Sequence, residues 1–233
     1  MASKSNSWEN GLMLLLFNNT NFANVGDATG LRGSTTAGSL YFSLHTADPG
    51  EAGTQSTNEV AYTSYARVAV ARASGAGGFT VSTNTVTNTS AILFPAPTAA
   101  NTTVWFWGLG TASTGTGVLL FKGPISSAPI GMALGESTDD TLTIKNHGLA
   151  VDDRVSFYAI AGLAIPTGVT EGTIYFVKTV PTADTITIST TSGGTTLDIT
   201  VDGNCLAYKH NPYTTTTGVQ PQFAAGAFNI VED

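Results

Sequence analysis

The chain has a single cysteine, Cys205, in 233 residues. One thiol excludes an intramolecular disulfide framework and a cysteine-based zinc site. It reads instead as a small buried hydrophobe. Charge is scarce as well: 11% of residues are Asp, Glu, Lys or Arg, against roughly 25% in an ordinary soluble domain. The nine basic residues are scattered without a patch or stripe and the net charge is −7, which excludes nucleic acid as a partner. Long apolar runs are missing too. The stretch at 12–17 is too short to span a bilayer, and no small-residue cleavage site follows it. The expectation is a soluble, unprocessed chain with no membrane insertion. Nucleophile and phosphate-binding motifs are also absent. There is no G-x-S-x-G elbow and no Walker loop, and Gly108-Leu109-Gly110 meets Ser113 where a third glycine would stand.

What is present is a chain able to fold, with 42% hydrophobic residues. With so little charge, its surface must be covered by Thr, Ser, Asn and Gly. Such a surface suits an extracellular or assembly-embedded β protein better than a cytosolic enzyme. The length allows one large β domain or two small ones. One helix is expected at 8–17, with Ser7 as its cap and Leu and Met as good helix formers. Elsewhere period-two patterns dominate, separated by Gly, Pro, Asn and Asp clusters. They predict strands at 39–45, 65–71, 79–82, 85–94, 104–110, 118–122 and 223–231. Many short strands at this spacing argue for a sandwich or barrel.

The character changes after residue 134. Residues 135–217 carry nine acidic and four basic side chains, a net of −5, while the remainder has seven and five, a net of −2. Further strands are expected at 140–145, 154–159, 173–179, 185–190 and 197–201, with linkers rich in Pro, Gly and Thr at 123–135 and 212–218. The resulting expectation is an all-β fold. A β-sandwich-like base domain, 1–134 plus 218–233, has one N-terminal helix, and a small β domain, 135–217, is inserted into it.

Five features invite a functional reading. The three histidines, His45, His147 and His210, stand apart, without the i, i+2 or i, i+4 spacing that aligns metal ligands. The pairs Asp139-Asp140 and Asp152-Asp153 lack the alternating register of a calcium loop. Trp105 and Trp107 would share one face of a strand, either as a sugar-stacking platform or as part of a core strand. The helix carrying Trp8, Leu12 and Leu16 is apolar almost all round, so it is expected in the chain's own core or against a sister subunit. The stretch YFSLHTADPGEAG at 41–53 places a histidine, a hydroxyl, Asp48 and Glu51 in one turn. Asp, Pro and Gly there are turn chemistry, and the loop 47–58 is expected as a surface arm available for subunit contact.

Leu40-Tyr41-Phe42-Ser43-Leu44-His45-Thr46-Ala47-Asp48-Pro49 followed by Tyr65-Ala66-Arg67-Val68-Ala69-Val70 resembles a family of small virion structural proteins of tailed bacteriophages, described as tail-fibre-like. Ile92-Leu93-Phe94-Pro95-Ala96, Trp107-Gly108-Leu109, Val118-Leu119-Leu120-Phe121-Lys122-Gly123 and the closing Phe223-Ala224-Ala225-Gly226-Ala227-Phe228-Asn229-Ile230 continue the likeness. About 80 residues separate the last two pieces, which fits a domain inserted at an exposed loop. Within them, Lys145-Asn146-His147-Gly148-Leu149-Ala150-Val151-Asp152-Asp153-Arg154-Val155 resembles a small β module of phage structural proteins.

These resemblances imply a non-enzymatic virion protein on the capsid exterior or the tail, with no catalytic, cofactor or metal residues. The expected role is capsid decoration, as a cement protein. It would assemble as a homo-oligomer, a trimer by analogy, and bind the major capsid protein or other virion proteins. The alternative is a tail-fibre or tail-associated protein contacting the host surface, with a host glycan as ligand. Trp8, Leu12, Leu16, Asp48, Glu51, Trp105 and Trp107 are the candidate contact residues.

Overall fold

A computed structural model describes residues 4–26, 30–99 and 101–231. The chain divides into two compact units, Met1–Gly123 with Tyr213–Asp233, and Pro124–Pro212.

The first unit begins with its one helix, α1 (Asn6–Asn18). Ser5, rather than the expected Ser7, is its N-cap: the Ser5 hydroxyl accepts from the Trp8 amide, so the helix starts two residues early. Asn19, in the left-handed region at φ 54°, closes it. The last turn contains no basic residue. Arg72 supplies the missing cation from elsewhere in the chain, donating Nε to the Leu16 carbonyl at 2.6 Å and Nη2 to the Leu15 carbonyl at 2.8 Å. That satisfies orphan carbonyls and complements the negative end of the helix dipole.

Eight strands follow: β1 (Ser39–His45), β2 (Val68–Ala71), β3 (Phe79–Ser82), β4 (Thr85–Asn88), β5 (Ile92–Leu93), β6 (Thr103–Val104), β7 (Phe106–Gly110) and β8 (Leu119–Pro124). The order β2-β1-β7-β8 makes the largest sheet of this unit. β1 pairs antiparallel with β7 from Tyr41↔Gly110 to His45↔Phe106. Alternation along β1 places Leu40, Phe42 and Leu44 in the core. Phe42 packs edge-on against Phe228 at 4.6 Å, and Phe17 of α1 meets Phe79 at 5.0 Å. The expected strand 104–110 is broken at Trp105, whose amide turns aside to donate to the His45 carbonyl at 2.9 Å.

The second unit is a closed, six-stranded antiparallel barrel. It contains β9 (Ser127–Glu136), β10 (Thr141–Thr143), β11 (Arg154–Ala159), β12 (Tyr175–Thr179), β13 (Thr185–Ser189) and β14 (Gly203–His210), in the order β10-β13-β12-β11-β14-β9. One aliphatic cluster fills it, including Leu142, Ile144, Val155, Phe157, Val177, Ile186, Ile188 and Cys205. Closure leaves no strand edge to protect.

Two expectations fail here. Residues 127–135, within the stretch 123–135 expected as a linker rich in Pro, Gly and Thr, belong to β9, at ten residues the longest strand among the described residues. Pro129 sits beside a bulge: Gly131 faces Ala207 and Pro129 faces Tyr208, leaving Ile130 over. Residues 197–201 form no strand, because their amides are engaged otherwise. Ile199 donates to Asp140 Oδ1 at 2.8 Å and Thr200 to the Thr167 carbonyl at 3.0 Å. The strand in this region is β14, a few residues later.

The chain then returns to the first unit. β15 (Tyr213–Thr214) pairs with β6, β16 (Gln222–Phe223) with β5, and β17 (Asn229–Val231) completes a three-stranded sheet with β4 and β3. The fold is all-β with one helix, and no helix among the described residues is long and apolar enough to cross a membrane.

Candidate functional site

The candidate site is the loop that follows β1 and the buried polar groups that hold it. Thr46 donates its amide and its hydroxyl to the Asn58 carbonyl, at 2.8 and 3.1 Å, which closes the neck of the loop. Inside, the Asp48 carboxylate accepts from the Gly50 amide at 2.8 Å, and Asn58 Nδ2 donates to the Asp48 carbonyl at 2.9 Å. The first is an Asx-type bond, the turn role that Asp-Pro-Gly favours.

The base of the loop rests on a buried ion pair. Arg67 grips Glu59 with two bonds of 2.7 Å, and its remaining donors reach the carbonyls of Ala112 at 2.9 Å and Gly115 at 2.6 Å. The fork geometry of arginine makes this bidentate grip. The Tyr65 hydroxyl donates to Glu59 at 2.9 Å and accepts from the Leu44 amide at 3.0 Å. Burial pushes the Tyr65 phenol far up, and the bond to Glu59 holds the Arg67 guanidinium above its ordinary value against the cost of burial. Gln55, fully buried, ties the loop to two further segments. It donates to the Tyr41 carbonyl at 3.1 Å and accepts from the Ala112 amide at 2.9 Å.

His45 and Ser43 form the most enzyme-like contact. His45 Nε2 lies 2.8 Å from Ser43 Oγ and Nδ1 lies 2.8 Å from the Thr57 carbonyl. A carbonyl only accepts, so Nδ1 carries the proton and Nε2 accepts from Ser43. Both side chains are wholly buried, and a Cβ on Gly108 would stand 2.6 Å from the imidazole and 2.7 Å from the hydroxyl. The β7 backbone thus covers the dyad. Burial lowers the His45 pKa, so the ring is neutral at pH 7. The pair links β1 to the loop and presents no nucleophile to solvent.

Of the candidate contact residues, Asp48 and Glu51 are brought together. Lys122 of β8 lies 3.0 Å from Asp48 and 3.2 Å from Glu51. Burial works against the Lys122 charge, but the two carboxylates outweigh it and its pKa is raised. Gly50, Glu51, Gly53 and residues 119–122 line a cleft of about 240 Å³ here. Leu12 and Leu16 line a second hollow, of about 470 Å³, with Leu15, Phe121, Arg32 and Arg72. Only Met13 and Phe17 among the helix's apolar side chains are fully buried. Trp8 is 38% exposed and leans on Phe22 at 5.5 Å.

Trp105 and Trp107 are both half-buried and do not make an open platform. The Trp107 indole meets Phe228 edge-on at 4.7 Å, and a Cβ on Gly123 would stand 2.7 Å from that indole. Lys122, Arg67, Gln55 and Arg72 were not foreseen. Lys122 stands 74 positions from Asp48 in sequence, and no local pattern reports such a pairing. In the barrel, His147 Nδ1 accepts from the Leu149 amide at 2.9 Å and His210 Nε2 lies 2.8 Å from Ser156 Oγ. Among the described residues, no group of three or more His, Cys, Asp or Glu side chains could hold a metal ion.

The buried polar groups around β1 hold the loop that follows it within an all-β chain. The family model for podophage GP4 fiber I protein gp80 matches residues 3–152. The chain belongs to that family, and it is a structural component of a phage virion. No curated protein matches. Among solved structures, the phage phi92 endosialidase is similar at 19% identity over 59% of this chain, with a TM-score of 0.23. The chain spans 19% of that structure's length.

Proposed function

We propose that this protein is a non-enzymatic component of the phage tail fibre, assembled as a homo-oligomer and acting by binding. The match of residues 3–152 to a fibre-protein family carries the reading. The buried Ser43–His45 pair and the carboxylates paired with Lys122 support a binding rather than a catalytic role. On this reading the loop 46–58, held by Glu59, Arg67 and Gln55, presents Glu51 at a fixed place for contact with a neighbouring virion protein. The capsid-decoration role expected from the sequence is the competing assignment. Quantitative mass spectrometry of purified virions separates the two. A handful of copies, scaling with tail number, is expected; copies in proportion to the major capsid protein would overturn the fibre reading.

A further inference from the structure

The hollow beside α1 combines two chemistries that the loop after β1 does not use. Leu12, Met13, Leu15 and Leu16 of the helix and Phe121 of β8 line about 470 Å³. That is a size small-molecule sites share. Leu12, Leu15 and Leu16 are only half-buried, so part of their apolar surface stays wet while the hollow is empty. A second hollow, of about 370 Å³, shares Leu16, Ser34 and Arg72 with the first and adds Leu40 and Leu120 to the lining. The shared residues join the two into one elongated trough.

Charge decides what the trough takes. Two guanidinium groups, Arg32 and Arg72, belong to its lining, and no Asp or Glu does. Arg72 spends Nε and Nη2 on the carbonyls that end α1 and holds Ser34 Oγ with Nη1 at 3.3 Å. The helix end offsets only about half of its charge. Arg32 is exposed and makes no hydrogen bond or ion pair among the described residues. Cations elsewhere are matched: Arg67 by Glu59, Lys122 by Asp48 and Glu51, Lys209 by Asp153. In a chain of net charge −7, an apolar trough with unmatched cations at its side fits an anion with a hydrocarbon tail. The tail would cover the wet leucines, and the arginine fork suits a carboxylate or phosphate head. Besides the arginines, Ser34 is the one polar side chain lining the first hollow. A peptide backbone would find few partners there for its amides, and a hydrocarbon chain needs none.

We infer that this trough binds a single-chain anionic amphiphile, with the alkyl chain along the leucines and Phe121 and the head on Arg32 beside Arg72. The site is separate from the loop 46–58, so its loss would leave the fibre reading untouched. The test titrates decanoate, below its micelle concentration, into the full-length chain by calorimetry. One decanoate per chain is expected to bind. Decan-1-ol keeps the tail without the charge and should bind about tenfold more weakly. Acetate keeps the charge without the tail and should not bind. Decyl phosphate should bind about as well as decanoate, since the fork accepts either head. Arg32→Ala should weaken decanoate about tenfold, and its exposed side chain keeps the test clear of folding. Lys145→Ala removes an exposed cation of the barrel and should change nothing. Leu16→Glu sets a carboxylate in the trough and should abolish binding, with an unchanged circular dichroism spectrum. Absence of decanoate binding overturns the inference, as does equal binding by Arg32→Ala or by decan-1-ol. Sedimentation with phosphatidylglycerol vesicles, without uptake of monomeric decanoate, would make this face a membrane contact and overturn it as well.

Discussion

The two units are held together in different ways. The barrel is one closed circuit of strands around a single aliphatic cluster. The first unit is several short sheets, none wider than four strands, joined by aromatic contacts and by the buried Glu59–Arg67–Tyr65 group. Closure lets each barrel strand pair on both sides, and side chains such as Asp140, Asp153 and Asp184 serve amides of its connecting segments. An open set of short sheets leaves loop carbonyls and amides to be satisfied by side chains, and Arg67, Gln55, His45 and Asn58 do that. The lesson is that, in the first unit, buried polar groups mark where regular pairing runs out, at the loop after β1.

The comparison breaks most visibly at Arg67. Arg67→Ala leaves the part-buried Glu59 without its countercharge, held only by the Tyr65 hydroxyl, and frees two loop carbonyls; the expected cost is about 3 kcal/mol. Amide exchange should rise through the first unit and not in the barrel. Faster exchange in both units alike would end the distinction. Acid should instead act on the barrel through His210. Burial, helped by Arg154, lowers its pKa to about 4 from 6.5. The unfolded chain therefore takes up the proton first as pH falls, so the stability from the neutral ring is complete above pH 6.5 and is lost down to about 4. The loss is about 3 kcal/mol, read as a falling barrel melting temperature that His210→Gln flattens.

Gly108→Ala comes next. Its methyl would meet His45 and Ser43 on one side and a Leu119 methyl at 2.8 Å on the other. Overpacking of this kind costs about 1–3 kcal/mol, measurable by denaturant titration. Asp48→Ala is the smallest change. It removes a half-exposed ion pair with Lys122 and the bond to Gly50, for about 1 kcal/mol or less. Its effect should appear in virion incorporation more than in melting temperature.

Much of this was legible in the sequence because strand period shows wherever inner positions are large and outer ones polar. β1 and β13 follow that rule, and β11 and β12 do so apart from the outward aromatics Tyr158 and Phe176. β9 and β14 break it. Their inward residues are small, Ala133, Cys205 and Ala207, while Met132, Leu134, Leu206 and Tyr208 face out. The hydropathy contrast is erased, so one strand read as linker and the other was missed. The same inversion puts apolar side chains on the barrel's outer wall. The turn at Asp48-Pro49-Gly50 was legible because its bonds are local. Its anchors were not: Lys122, and the Ala112 and Gly115 carbonyls held by Arg67, come from distant segments that no local pattern joins.

The most direct test is to see where the protein sits. Cryo-electron microscopy of virions carrying an antibody fragment against the barrel should show density on the tail fibres and none on the head. Density arrayed over the capsid lattice, with bare fibres, would contradict the account.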